Sequence, residues 1–543
     1  MSKTRTVSRR DFARTSMAAG AAAVAIPGSL LGGAGAVSAS GSAAEGAAVA
    51  KRRRLSMPPE VSYGGLSPDG RDVPLQATLA PAGQAPKPYP GGWREGTTIP
   101  ATYYVDEKHF VNDERFIAEH FWLMADHENR IPKPGDYFVF EYGRGDSVII
   151  VRDQAGAVKA FHNVCRHRGS RLCLHEMDGV LPSESRADGK PIDARLSVVQ
   201  HGPSGNTQVF RCPYHAWTYD LNGKLVSFPP SLPPSFNQAE LGLHPCHVRT
   251  VEGFIFISLS RQDPPDFDTF VANWRTVCSE YGTANLKVAA RKSYPTKANW
   301  KLALENFREC YHCQHAHTRS FTATHVLFLP TTTPTQRSRM EQEMARHGHP
   351  VQARDDYFNL YGQPRGPQQQ PSRDALAPPP QSAGGMGMAG GRGTHLPIGF
   401  VTASLDGKAV APLLPGRKEW THRRASATTG FSTSFITFYD DHVAVARFTP
   451  RGVMSTDVEI LWMVNPAAKE KEVDVQRMMA VWDITYREDR WIVENNHHGI
   501  LNSRYNYTGG QPYAESEGGP SGLVKWYMGE VVPTFSSKQT EDF

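Results

Sequence analysis

Two short stretches constrain this chain more than any others: Cys165-Arg166-His167 and Cys212-Pro213-Tyr214-His215. Each carries one thiol and one imidazole within a single turn of chain. A fold that joins the two stretches therefore makes a site of two sulfurs and two nitrogens. Two groups suit that donor set: a tetrahedral zinc ion, or an iron–sulfur cluster with thiolates on one iron and imidazoles on the other. Chance loop cysteines and histidines are the bland alternative. Cys173, Cys246, Cys278, Cys310 and Cys313 bring the cysteines to seven. An odd number spread over 543 residues does not describe a disulfide scaffold, so some thiols need another task.

The pair sits among short apolar runs bounded by Gly, Asp and Pro: Tyr137-Phe138-Val139-Phe140, Ser147 to Val151, Val158 to Phe161 and Gly253-Phe254-Ile255-Phe256-Ile257. Such runs predict a small all-β module. Between His167 and Cys212 lie 44 residues, of which 177–208 are polar and turn-rich and read as a loop inserted between the two halves of the site. Helical periodicity returns beyond residue 266, most clearly over Asn299 to His317 and Asp474 to Asn496, and residues 431–464 again look like strands. A chain of this length exceeds one core, and residues 266–543 read as a second, α+β domain. The Pro/Gln/Gly/Met-rich stretch at about 363–393 reads as a disordered surface insertion within it.

The flanking residues choose between zinc and iron. Asn163-Val164-Cys165-Arg166-His167-Arg168-Gly169 and Cys212-Pro213-Tyr214-His215-Ala216-Trp217-Thr218-Tyr219 resemble the Rieske loops of ring-hydroxylating oxygenases. Tyr214 stands where electron-transport Rieske proteins of the bc type carry a further Cys, which points to the lower-potential oxygenase type. The resemblance implies a [2Fe-2S] cluster bound by Cys165, His167, Cys212 and His215. It places an all-β Rieske domain over 96–265, with a helical segment ahead of the strands. The long spacing between the loops departs from the family and bears on where an electron donor docks.

Asn299-Trp300-Lys301-Leu302-Ala303-Leu304-Glu305-Asn306, then Glu309-Cys310-Tyr311-His312-Cys313-Gln314-His315-Ala316-His317, resemble the mononuclear-iron motif of the same family. By that resemblance His312 and His317 bind Fe(II). The third ligand is Asp489, within Glu488-Asp489-Arg490-Trp491-Ile492-Val493-Glu494. Two imidazoles and one carboxylate on one face leave positions open for O2 and substrate. Five residues advance a helix by about 500°, so the helix must end or distort between the two histidines. Glu488 and Glu494 are competing carboxylates, while His315, His325, His497 and His498 read as surface or supporting residues. Cys310 and Cys313 have redox-pair spacing but, lying in the iron helix, read as packing residues. Glu309 falls three residues before His312, on the same helical side. The family resemblance implies that it bridges His312 to His215 of a neighbouring subunit, orienting both rings and passing electrons in a ring-shaped homotrimer. The implied catalytic fold is a helix-grip-like antiparallel sheet with helices.

Asp406-Gly407, Pro412-Leu413-Leu414, Asp441-His442-Val443, Ser503-Arg504-Tyr505 and Trp526-Tyr527 resemble the glycine betaine, choline and carnitine oxygenase branch. The implied reaction is O2-dependent hydroxylation of a quaternary ammonium or N-methyl compound. Electrons would come from a reductase or ferredoxin-like donor, and an aromatic cage could hold the cation. An aromatic ring-hydroxylating dioxygenase is the alternative, and a non-catalytic Rieske electron carrier the second alternative.

Ser8-Arg9-Arg10-Asp11-Phe12 resembles a twin-arginine export motif, followed by an Ala/Gly-rich stretch and Val37-Ser38-Ala39 as a small-residue cleavage site. Pro27, Gly28, Gly32 and Gly33 make that stretch a poor membrane helix. Residues 1–39 are therefore expected to be a signal peptide, and 40–95 a linker and extended arm with a solvated basic run at Lys51 to Arg54. The twin-arginine pathway carries folded proteins, which suits a metal centre assembled before export, and predicts a periplasmic or otherwise exported protein. The leader holds four of the five net positive charges. The remainder is near neutral and gives no support to a nucleic-acid partner.

Overall fold

The computed structural model describes residues 90–174, 201–229, 235–317, 399–428, 433–502 and 517–536, with a few short pieces between them. The leader, the basic run, His325, most of the 177–208 insertion and the 363–393 stretch lie outside the described residues. Residues 1–85 form a unit of their own, described only as a pairing of Gly65–Leu66 with Asp72–Val73. Residues 86–543 form the second unit. Among the described residues no helix is long and apolar enough to cross a membrane.

The chain enters through helix α1 (Glu107–His120), capped by the Asp106 carboxylate, which accepts from the Lys108 and His109 N–H groups. Among the described residues, ten strands of three or more residues follow: β1 (Leu123–His127), β2 (Asp136–Tyr142), β3 (Asp146–Arg152), β4 (Val158–His162), β5 (Ser204–Asn206), β6 (Val209–Arg211), β7 (Thr218–Asp220), β8 (Leu225–Ser227), β9 (His247–Val251) and β10 (Phe254–Ser258). They form three antiparallel sheets, ordered β4-β3-β2-β5, β6-β7-β8 and β9-β10-β1.

Strands β2 and β3 are buried on both faces, which is why they read as unbroken apolar runs. Period-two alternation divides their side chains between two cores. Tyr137, Val139, Ile149 and Val151 join a small core containing Cys165, Cys212, Trp217 and Tyr219. Phe138, Phe140, Tyr142, Val148 and Ile150 join the large core of the rest of the molecule. The end of the sequence-predicted loop insertion is in fact strand β5, paired with β2. It is exposed throughout, so it has no apolar alternation to announce it; Asn206 Nδ2 anchors it by donating to Asp136 Oδ1 at 2.8 Å.

Helix α2 (Ala272–Tyr281) leads into the second sheet. Its strands are β11 (Lys287–Thr296), β12 (Arg423–Thr428), β13 (Ser434–Phe438), β14 (His442–Gly452) and β15 (Ser455–Val464). The sheet order is β11-β15-β14-β13-β12, with the two-residue strand Thr394–His395 at the edge. Three further helices carry function or close the core: α3 (Trp300–Phe307), α4 (Cys313–Ala316) and α5 (Val475–Ile500), followed by α6 (Gly518–Trp526). α5 packs on β11 and α3 through the stripe Met478, Trp482, Tyr486, Val493 and Ile500. The segment ahead of strand β1 packs into this second domain: Asp113 of α1 receives Trp300 Nε1 at 3.2 Å and pairs with Lys301, both charged side chains being buried.

Candidate metal centres

The first site hangs from the small β core. After β4, the buried Asn163 side chain closes the loop by accepting from Leu172 and Cys173 N–H at 2.9 Å each and donating to Cys173 O at 2.9 Å. Gly169, at φ +74°, makes the turn that lets its N–H reach Cys165 O at 3.0 Å. The second loop joins β6 to β7; Cys212 N–H donates to Trp217 O at 2.8 Å, and Ala216 takes a left-handed φ of +60° to allow it. Cys165 and Cys212 are buried, while His167 lies exposed. The rings of His167 and His215 stand 4.7 Å apart between centroids; His167 stacks on Trp217 and His215 on Tyr214. The Tyr219 hydroxyl accepts from Arg166 N–H at 3.1 Å and lies 3.3 Å from Cys165 Sγ, tying the loops together. Sulfurs inside and imidazoles outside fit a cluster with mixed ligation and one solvent-facing iron.

The second site lies between α4 and α5. The helix begun at Asn299 ends at Phe307, earlier than the sequence reading required. His312 and His317 are the two caps of the four-residue α4, so the break precedes His312 and both rings leave the ends of one turn. Their planes lie at 81°. Asp489, on the buried stripe of α5, receives both: Oδ1 is 3.2 Å from His312 Nε2 and 2.9 Å from His317 Nε2. Each ring is held from behind. Glu309 Oε1 accepts from His312 Nδ1 in a short contact, although Glu309 sits in the turn before α4 and not on a helix. Glu488 Oε2 lies 2.9 Å from His317 Nδ1.

Burial pushes Asp489 up, but the hydrogen bonds from His312 and His317 hold it down at about 2. Burial pushes His312 down, yet the Asp489 and Glu309 carboxylates bring it to about 9, and His317 is raised likewise. The pocket thus demands positive charge, which a divalent cation on the two Nε2 atoms and Oδ1 would supply in place of protons. The donor set fits mononuclear iron.

The remaining sequence candidates separate cleanly. Glu494 accepts from Lys297 N–H and Arg490, each at 2.9 Å, away from the two imidazoles. His315 and His498 are exposed; His497 is buried, with Nδ1 accepting from Asn299 N–H at 3.0 Å. Cys310 and Cys313 correct the packing reading: they form a disulfide. Because α3 stops at Phe307, the two lie on a turn with Cα atoms 4.8 Å apart, a separation a disulfide spans. Cys313 Sγ is within 4.8 Å of the His312 and His317 nitrogens, but in a disulfide it is not a thiolate ligand. Residues the sequence reading missed are Asn306, whose Nδ2 is 3.3 Å from His312 Nε2, and Ser320, which touches Glu488. A groove of about 780 Å³ opens onto the site, lined by Tyr311, His312, Arg487, Glu488 and Trp491, with Trp491 70% and Tyr311 47% exposed.

Two family profiles match the chain: "Rieske [2Fe-2S] domain" over residues 121–237 and "Ring hydroxylating alpha subunit (catalytic domain)" over 283–531. The glycine betaine monooxygenase oxygenase subunit of Chromohalobacter salexigens is 32% identical over 441 residues, 80% of this chain and 86% of that protein. Among solved structures, the apo form of a quaternary ammonium Rieske monooxygenase matches with TM-score 0.51 at 18% identity, covering 80% of this chain and 94% of that one. Naphthalene 1,2-dioxygenase from Rhodococcus sp. matches with TM-score 0.52 at 18% identity, covering 79% and 93%. These two share the fold.

Proposed function

Because this chain belongs to the Rieske-type ring-hydroxylating oxygenase alpha subunits, we propose that it hydroxylates a quaternary ammonium or N-methyl compound, with His312, His317 and Asp489 as iron ligands. It is the oxygenase component of a Rieske system, working with O2 and an external electron donor. The observation that carries the substrate class is the 32% identity with a glycine betaine monooxygenase subunit along most of both chains.

When bound, the [2Fe-2S] cluster supplies electrons singly and the mononuclear iron activates O2. This chain's residues do the rest. Cys165 and Cys212 sit within the small core, while His167 presents its ring at the surface, where a donor reaches it. Asp489 and the two imidazoles would hold the iron. Glu309 holds Nδ1 of His312 and is the acid that would bridge to His215 of a second copy in a homotrimer. Residues 1–39 act as a twin-arginine leader, and the mature protein works outside the cytoplasm with a donor of that compartment.

Metal analysis and turnover test the reading. The loaded protein should hold about three irons per chain, falling to about two in His312→Ala with the cluster's visible absorbance intact. Reduced protein given O2 should convert methylammonium compounds and leave aromatic hydrocarbons unchanged, as read by product mass. Two irons in the parent protein, or turnover of aromatics alone, would reject it. Arg9→Lys with Arg10→Lys should retain the protein in the cytoplasmic fraction.

A further inference from the structure

We propose that Glu488 is a positioning residue of the mononuclear site, fixing the His317 ring through Nδ1 as Glu309 fixes His312. The inference rests on the reading of His312, His317 and Asp489 as metal ligands. Consecutive residues on α5 point about 100° apart, so Asp489 and Glu488 cannot both face the same nitrogen. Asp489 Oδ1 meets His317 Nε2 at 2.9 Å, and Glu488 Oε2 meets the opposite Nδ1 at 2.9 Å. The ring is therefore gripped between two neighbouring carboxylates of one helix.

The grip is itself supported. Ser320 Oγ donates to the same Glu488 Oε2 at 3.0 Å and lies 3.0 Å from Thr485 Oγ1, one turn before Asp489 on α5. Ser320 and Thr485 are both buried. Thr485, Ser320, Glu488 and His317 thus form a continuous chain of polar contacts, anchored in the core at one end and on the ring at the other. His317 needs such help: it is the C-cap of a four-residue helix, at φ −110° and ψ 38°, outside regular structure. A carboxylate on Nδ1–H selects the tautomer whose Nε2 lone pair faces the metal and makes that nitrogen a better donor. Glu488 had seemed a rival ligand because it adjoins Asp489 in sequence. The structure assigns it the reverse side of a ligand.

The test compares Fe(II) affinity of the mononuclear site, by competition with a coloured chelator, in the cluster-loaded full-length protein and its variants. Glu488→Ala should weaken Fe(II) binding about 10- to 100-fold. Glu488→Gln keeps an oxygen that accepts from Nδ1–H and should stay within a few-fold of the parent. Ser320→Ala should fall between them. The melting temperature of the iron-depleted site and the cluster absorbance should be the same in all. Undiminished affinity in Glu488→Ala overturns the proposal. So does a loss in Glu488→Gln equal to that in Glu488→Ala, or a loss matched by a fall in melting temperature, since each marks a merely structural role. A parent protein that binds no iron beyond the cluster overturns the functional reading and this inference together.

Discussion

His497 takes the Asn299 N–H on Nδ1, and its buried Nε2 has no hydrogen-bond partner among the described residues. Burial pushes its imidazole down to about 4. Glu305 has the opposite bias: burial raises its carboxyl to about 7 despite hydroxyl donation from Tyr104 at 2.8 Å and Tyr513 at 3.1 Å. The signs follow from which state binds the proton. His497 stays neutral when folded, so its contribution is complete above pH 6.5 and is lost as pH falls through 4. Glu305 stays protonated when folded, so its contribution is complete below pH 4.5 and is lost as pH rises through 7. Each is worth up to about 3 kcal/mol, and in the parent protein they partly cancel. Single substitutions separate them: in melting curves across pH, His497→Asn should flatten the acid side and Glu305→Gln the neutral side. A second residue-scale expectation concerns Tyr219, whose hydroxyl lies 3.3 Å from Cys165 Sγ. Hydrogen bonds to cluster sulfur favour the reduced, more negative state, so Tyr219→Phe should give a more negative cluster potential in a redox titration. Residues at this scale were legible where sequence neighbours share one job. Cys165 with His167, and Cys212 with His215, announce a site because a turn is enough to join them. Ser320 and Glu488 meet through tertiary packing across 168 residues, and no spacing rule reveals that.

Elements were legible by periodicity and misread at their ends. The stripe of α5 predicted its helix to within a few residues, whereas the run from Asn299 to His317 concealed a helix stop at Phe307. That stop moves Cys310 out of a helix and permits its bond to Cys313. Strand β5 left no apolar trace because both its faces are wet. Between elements, the buried Asp113–Lys301 pair links α1 to α3, with Trp300 Nε1 also donating to Asp113. Removing one charge strands the other in the core at a cost of about 3–5 kcal/mol, while replacing both with apolar side chains is far milder. Denaturant unfolding should therefore rank Lys301→Met as less stable than the double variant Asp113→Leu, Lys301→Met. The reverse order would mean that the pair is solvated in the folded state.

At the scale of the whole molecule, the proposed trimer makes a prediction that no single chain can meet. Cys165→Ser removes a proposed cluster ligand and His312→Ala a proposed iron ligand, so each variant alone should be inactive. If Glu309 passes electrons to a neighbour's site, co-assembly of the two should restore turnover, because some interfaces pair an intact cluster with an intact iron centre. Activity that stays absent in the mixed assembly would confine electron transfer to one chain. Division into an all-β and an α+β part was legible from composition and run length, but the sequence could not reveal how β2 and β3 serve both. Phe138, Phe140 and Tyr142 face the large core, while Tyr137 and Val139 face the small one. The two parts are therefore not interchangeable modules. A chimera exchanging the Rieske segment for a relative's would have to carry over the large-core face of these strands, or it would expose a broad apolar sheet and aggregate. Any tuning of the electron supply in this scaffold has to proceed by substitutions around the cluster loops, leaving the shared strands in place.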